Sequence, residues 1–241
     1  SFAFGMSGAI GLGLAGSPVA RAVAALPAGA LDAQSLAAHI APLFTRHRAA
    51  FADRIYLANH SLGRPLDATA SDLGEGLDAW YAGMGGAWDA WLAECDRHRA
   101  RLARLMHAAR ADCVVPQTSA GQGLRAVLNT FDKPARVVAS AGEFDSLDVI
   151  LREYARRGRI EVNWIGARGD GRFAAADIAG AIQRGVDLVV VSEVMFASGQ
   201  RIADLRSIVD AAHAAGAKVR LDVYHSLGVF DHCDNADPKP A

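Results

Sequence analysis

The residues able to do chemistry gather in the second half of the chain, each group following a short apolar run. Gln117-Thr-Ser-Ala-Gly-Gln-Gly123 is a small-residue loop that opens a helical pattern. Such a turn offers free backbone N–H groups and the positive end of a helix dipole to a phosphate. Gly142-Glu-Phe-Asp-Ser-Leu147 presents an aromatic ring able to stack on a flat heterocycle, and Ser192-Glu-Val-Met-Phe-Ala-Ser-Gly-Gln200 is a polar loop. Asp222 lies within an apolar run, with His225 three residues on. A carboxylate placed there is costly unless a positive partner neutralises it. Singly, these groups read as a helix cap, a core aromatic, a loop and an ion pair. Together they suit a flat, phosphorylated, cationic heterocycle. Upstream, Tyr56-Leu-Ala-Asn-His-Ser-Leu-Gly-Arg-Pro65 reads as a short strand running into a polar turn built from turn-forming residues.

The elements that must position these groups are legible from periodicity. Cys113-Val-Val115, Arg136–Ser140, Ile160–Ile165, Asp187–Ser192 and Lys218–Tyr224 are short apolar or β-branched runs. Helical patterns lie between them, at Gly123–Phe131, Ser146–Arg157, Ala174–Arg184 and Ile202–Ala215. This alternation predicts an α/β domain with a mostly parallel sheet and flanking helices. Ligands of such sheets bind at the carboxyl ends of the strands, where all four groups fall. The predicted organisation is an apolar, Gly/Ala-rich, poorly ordered leader over 1–30, a helical segment over 31–110 and the α/β domain over 111–241. In the helical segment Asp32 is a candidate N-cap, and Leu77, Trp80, Tyr81, Met84, Trp88, Trp91 and Leu92 make a stripe expected in core or subunit contact.

Composition narrows the function. The 241 residues carry 25 basic and 26 acidic side chains, a net charge of −1, so no basic footprint points to nucleic acid or an anionic membrane surface. Cys95, Cys113 and Cys233 have no CxxC spacing, which gives a disulfide framework or zinc ribbon no support and suggests reduced thiols in a cytoplasmic protein. His225, Asp231, His232 and Cys233 are ligand types in no standard metal spacing, so no metal is expected. Five glycines and Pro18 weaken the first twenty residues as a membrane helix, and no basic region precedes them as in a secretory signal. Gly11, Gly13 and Gly16 match the dinucleotide spacing, but the second strand that motif needs is missing.

The ordered set Asn59-His-Ser-Leu-Gly63, Phe144-Asp-Ser146, Ser192 through Gly199-Gln200 and Asp222-Val-Tyr-His225 resembles the fold-type-I pyridoxal 5'-phosphate (PLP) enzymes, most closely kynureninase and its relatives in the class V aminotransferase group. The resemblance runs from Asn59 to His225 and leaves the leader out. It implies the large PLP domain of that fold, an amino-acid substrate and a homodimer at full length. Ser119, Ala120 and Gly121 would hold the cofactor phosphate, and Phe144 would stack on the pyridine, with Asp145 and Ser146 beside the ring. Ser192 would approach from the next strand, Asp222 would pair with the protonated ring nitrogen, and His225 would stand near ring and phosphate. Asn59 and Ser61 would face the substrate carboxylate. Three positions depart from the family pattern: Gly121 where a hydroxyl residue is common, Asp145 where proline is commoner, and His60 in the substrate turn.

The resemblance also implies a catalytic lysine, linked to the cofactor as a Schiff base, after one further strand. By the family's spacing that lysine is expected beyond Ala241, the last residue of this sequence. The chain has three lysines, Lys133, Lys218 and Lys239. Lys218 lies four residues, roughly 13 Å, back along the strand from Asp222; Lys133 follows the helix opened by the phosphate turn, and Lys239 sits between prolines. None suits the role, so no catalytic residue is assigned between Ser1 and Ala241, and the expectation is an inactive fragment of a kynureninase-like hydrolase. The alternatives are a class V aminotransferase, a cysteine-desulfurase-like enzyme, or a degenerate protein that kept the fold without the chemistry.

Overall fold

The computed structural model describes residues 18–29, 32–59 and 61–229. The Gly11–Gly16 motif, His60, Asp231, His232, Cys233, Lys239 and Ala241 lie outside them, so the lysine expected beyond Ala241 also falls outside the described residues. The chain forms two compact units, within 1–95 and 96–241.

The first unit is helical: α1 (Pro18–Ala24), α2 (Ala33–Ser35), α3 (Thr45–Ala50), α4 (Thr69–Gly83) and the start of α5 (Ala87–Leu105). Asp32 caps α2 as expected, accepting from the Ser35 amide at 2.7 Å. Asp67, 22 residues further on from Thr45, caps α3: its carboxylate accepts from the amides of Thr45 (2.9 Å) and Arg46 (3.0 Å) and from the Thr45 hydroxyl. These donors hold the Asp67 carboxyl below the usual carboxylate range. Met84, at a positive φ (43°) outside the left-handed helical region, turns the chain from α4 into α5. Trp91 packs edge-on against Trp80 and Trp88 and donates to the Gly76 carbonyl, but Leu77, Trp80, Tyr81, Met84, Trp88 and Leu92 remain exposed. The strand expected at Tyr56 does not form. Among the described residues that stretch pairs with no strand, and its order comes from a turn.

The second unit carries the sheet. It follows α6 (Ala120–Leu128) with β1 (Ala135–Ser140), α7 (Asp145–Arg156), β2 (Ile160–Ile165), α8 (Ala175–Gly180), β3 (Leu188–Ser192), α9 (Leu205–Ala215) and β4 (Lys218–Asp222). The four strands are parallel in the order β2-β1-β3-β4. Alternation along each strand separates two cores. Ala135, Val137 and Ala139 of β1 with Leu188 and Val190 of β3 pack on Leu124 and Leu128 of α6 and Leu147, Ile150 and Leu151 of α7. Val138, Val189 and Val191 face the other way, onto Ile178 of α8 and Ile208 and Ala212 of α9. The result is the predicted α/β arrangement of a parallel sheet with flanking helices, which lie on both faces.

Two predicted strands need correction here. Cys113-Val-Val115 has a short 3-10 turn at Ala111–Cys113 and then extended backbone with no strand beside it among the described residues, since a β-branched run becomes a strand only by pairing. The strand drawn to Tyr224 stops at Asp222, because the Asp222 side chain accepts from the Tyr224 amide at 3.0 Å and bends the chain away. The helix predicted over Ala174–Arg184 is one and a half turns, Ala175–Gly180.

Candidate active site

The strand order reverses at β1: the chain leaves it for β2 on one side, then returns to add β3 and β4 on the other. In open α/β sheets that reversal opens a crevice at the carboxyl ends of the strands. Ser119 caps α6, its Oγ accepting from the Gln122 amide at 3.1 Å, and Thr118 bonds the Gln122 side chain. The first-turn amides of Ala120 and Gly121 have no acceptor within a helix and point outward from its end. The departure at Gly121 has a steric reason. A Cβ there would lie 2.9 Å from Ile150 Cδ1, and the same point is 3.8 Å from Ser119 Oγ and 4.0 Å from Ser146 Oγ. Glycine lets α6 meet α7 closely, and two hydroxyls from neighbouring segments lie beside it.

Asp145 and Ser146 open α7, after Phe144. Phe144 is exposed and meets Phe196 edge to face, with centroids 5.2 Å apart. Phe196 belongs to the loop after β3. That loop is held by the Met195 amide on the Gln200 carbonyl (2.8 Å) and by the Gln200 amide group, which donates to the Phe173 carbonyl (2.5 Å) and accepts from the Phe173 amide (2.9 Å). The Phe173 ring in turn lies over Gly142, where a Cβ would come within 2.6 Å of two ring carbons.

Between the ends of β1 and β3 sits a buried carboxylate, Glu143. Its Oε1 accepts from the Ser140 hydroxyl (2.5 Å) and the Ser192 amide (3.0 Å), and its Oε2 from the Ser192 hydroxyl (2.7 Å). Burial pushes the Glu143 carboxyl up from its ordinary value; the three donors and the Arg220 charge oppose that shift without cancelling it. Ser192 therefore reaches the crevice as a donor to Glu143. It also sits opposite Asp222 in the β3–β4 register.

Asp222 has the positive partner that its apolar strand requires. Arg220, two residues earlier and so on the same face of β4, donates from Nη1 and Nη2 to Asp222 Oδ2, both at 3.1 Å. Both side chains are largely buried. His225 follows in the turn, its ring edge-on to Tyr224 at 5.2 Å. Ser119, Gly121, Ser146, Phe144, Ser192 and Asp222 thus share one edge of one sheet. Asn59 and Ser61 belong to the first unit. They stand on a turn in which the amides of Ser61 and Leu62 bond the Ala58 carbonyl, Tyr56 donates to the Leu62 carbonyl and Arg64 to that of Tyr56. Lys133 and Lys218 lie at the opposite, amino edge of the sheet. Among the described residues no group of three His, Cys, Asp or Glu is placed to hold a metal, and no helix is long and apolar enough to cross a membrane.

Sequence reasoning missed Glu143, Arg220 and Phe196. Arg220 alone had a usable signal: its period-two spacing from Asp222 puts both on one side of a strand.

Comparison with known proteins bears on the family and the fold. Over 64 residues, 26% of this chain and 15% of the other, the sequence is 41% identical to kynureninase of Geobacillus thermodenitrificans. A solved structure of a C-DES mutant, with glycine covalently linked to the PLP cofactor, superposes with a TM-score of 0.65 at 16% identity, over 77% of this chain and 51% of that one. The cysteine desulfurase CsdA of Escherichia coli superposes with a TM-score of 0.55 at 16% identity, over 74% and 48%. The chain spans about half the length of these solved structures. The model of the family Aminotransferase class-V matches residues 89–230. The chain belongs to the class-V aminotransferases, a PLP-dependent family of the α/β fold type I.

Proposed function

We propose that the carboxyl edge of this sheet binds PLP and that the protein acts on an amino acid, in a kynureninase-like hydrolytic cleavage of a Cβ–Cγ bond. The observation that carries the reading is the meeting, on one edge, of three features that suit a phosphorylated pyridine. These are a helix start with two serine hydroxyls beside Gly121, an exposed aromatic ring, and a carboxylate locked by a guanidinium. When bound, PLP supplies the electron sink for a substrate carbanion. The protein's own groups do the positioning. Ser119 and Ser146, with the amides of Ala120 and Gly121, hold the phosphate. Phe144, steadied by Phe196, covers one face of the ring and excludes water from it. Asp222 holds the proton on the ring nitrogen, and His225 stands at the ring side. Asn59 and Ser61 take the substrate carboxylate.

Among the described residues Lys133 and Lys218 lie at the amino edge, remote from this site, and the 241-residue chain is proposed to bind PLP without turnover. The full-length protein is proposed to be a homodimer. Equilibrium dialysis of the chain against PLP tests the reading, with Phe144→Ala and Asp222→Ala each weakening binding about tenfold, the scale of one stacking contact or one charge-assisted bond. Absence of binding in the parent chain, or variants that bind as well as it does, would defeat the proposal. A second reading, a desulfurase-like or aminotransferase reaction, is favoured by the superposition on the cysteine desulfurase. Product analysis of the full-length protein with kynurenine, cysteine and alanine separates the two.

A further inference from the structure

Arg220 lies mid-strand on the sheet face that carries α6 and α7, between two carboxylates. It donates twice to Asp222 Oδ2, and its charge acts through space on Glu143. Its side chain is 15% exposed and that of Asp222 12%, so both are largely taken out of water. Placing a guanidinium there costs desolvation, which is recovered only through well-made bonds. A surface role does not account for it, and α9, which packs on β4, supplies no competing partner: its Arg206 and Asp210 pair with each other.

The lone pairs of Asp222 show what Arg220 does. An ionised carboxylate offers about four acceptor positions. Oδ2 takes Nη1 and Nη2 of Arg220, and Oδ1 takes the Tyr224 amide at 3.0 Å. The plane of the carboxylate is therefore fixed at both oxygens. One acceptor position on Oδ1 is left for a further donor.

We propose that Arg220 is a positioning residue for the ring nitrogen: it fixes the plane of the Asp222 carboxylate, so that the remaining lone pair of Oδ1 is presented to the pyridine N–H. This rests on the PLP reading of the site. It goes beyond that reading by assigning the strength of the nitrogen contact to a residue that touches neither cofactor nor substrate. Arg220 acts through Asp222, in the way an orienting group acts through a metal ligand or a catalytic base.

The test uses two probes, PLP and the analogue in which a ring C–H replaces the nitrogen. Both carry the same phosphate and aldehyde, so the ratio of their dissociation constants isolates the nitrogen contact. Equilibrium dialysis of the full 241-residue chain gives the ratio for the parent and for Arg220→Gln and Arg220→Lys. Glutamine keeps most of the volume and an N–H donor but no charge, and lysine keeps the charge. The expected result is a parent that prefers PLP, with Arg220→Gln reducing that preference about tenfold, the worth of one charge-assisted hydrogen bond. Arg220→Lys should fall between the parent and Arg220→Gln, because it keeps a charged donor but loses the guanidinium fork that fixes the carboxylate plane.

A parent preference that survives unchanged in Arg220→Gln overturns the proposal while leaving the site reading intact. Equal loss of affinity for both probes in Arg220→Gln overturns it too, since that is the mark of a merely structural residue. A parent that binds neither probe, or binds both equally, overturns the reading of the site and the proposal with it. Circular dichroism of each variant confirms the fold. If Arg220→Gln does not fold, Arg220→Met, which replaces the buried cation with an apolar chain of similar length, carries the same expectation.

Discussion

Replacing Gly142 by alanine should loosen the candidate site through packing alone. The added methyl carbon would stand 2.6 Å from both Cε2 and Cζ of Phe173 and 3.3 Å from Met195 Sδ. Carbon atoms settle at about 3.5–4.0 Å, so the ring edge is overlapped by about 1 Å. Phe173 has little freedom to retreat, because its amide and carbonyl are both held by the Gln200 side chain and its ring packs on the core shared by α8 and α9. Overpacking of this kind costs about 1–3 kcal/mol. Loss of glycine's freedom in the unfolded chain returns about 0.4–1 kcal/mol. The net expectation is a destabilisation of about 1–2 kcal/mol. Urea unfolding followed by circular dichroism should show a lower midpoint with an unchanged slope, which marks a change in stability without a change in the surface exposed. The clash also predicts coupling. Phe173→Leu removes the two offending ring carbons, so it should cost less in the Gly142→Ala background than in the parent, by at least about 0.5–1 kcal/mol. A Gly142→Ala midpoint equal to the parent's, or additive energies in the double variant, would refute the steric argument.

Three further outcomes follow from the same geometry. Burial raises the Glu143 carboxyl in the folded protein, so its contribution to stability is fully present below the unfolded value and is lost as pH rises through the folded one; Glu143→Gln should remove that component from a stability profile measured across mildly acidic to neutral pH. Asp67 is shifted the other way: its contribution is present above the unfolded value and disappears as pH falls through the folded one, so Asp67→Asn should flatten the acid limb of the melting curve. Gln200→Ala takes two partly buried hydrogen bonds from Phe173 and should cost about 1–2 kcal/mol in urea unfolding, with the Phe196 loop becoming more susceptible to limited proteolysis.

The second half of the chain was legible because two periodicities alternate in it. Ile160–Ile165 appears as a strand with the boundaries its pattern predicts, and Leu205–Ala215 as a helix capped by Asp204 and closed by Gly216 in the left-handed conformation. Cys113-Val-Val115 has the right residues and no ladder, since strand identity depends on a neighbour that local sequence does not reveal. The same limit applies to the site. A charge inside the apolar run ending at Asp222 announced itself, and so did the small-residue turn at Ser119. Glu143 did not, because what makes it notable is its burial against Ser192, 49 residues away. The placement of Gly121 shows the converse. A residue that departs from the family pattern in sequence is explained once Ile150 is seen beside it.

The bond from the Ser192 amide to Glu143 gives the protein a built-in clock. That amide is buried and its acceptor lies across the strand reversal, so solvent deuterium reaches it only when β1 and β3 part. Local fraying of a helix end leaves it protected. Its exchange therefore reports global opening of the sheet, while the first-turn amides of α6 exchange with the surface. In folding the order is reversed. The small-residue turn can form with its helix early, but the carboxylate pocket waits for a chain excursion of 49 residues to close. The carboxylate pocket is thus among the last parts of the domain to assemble.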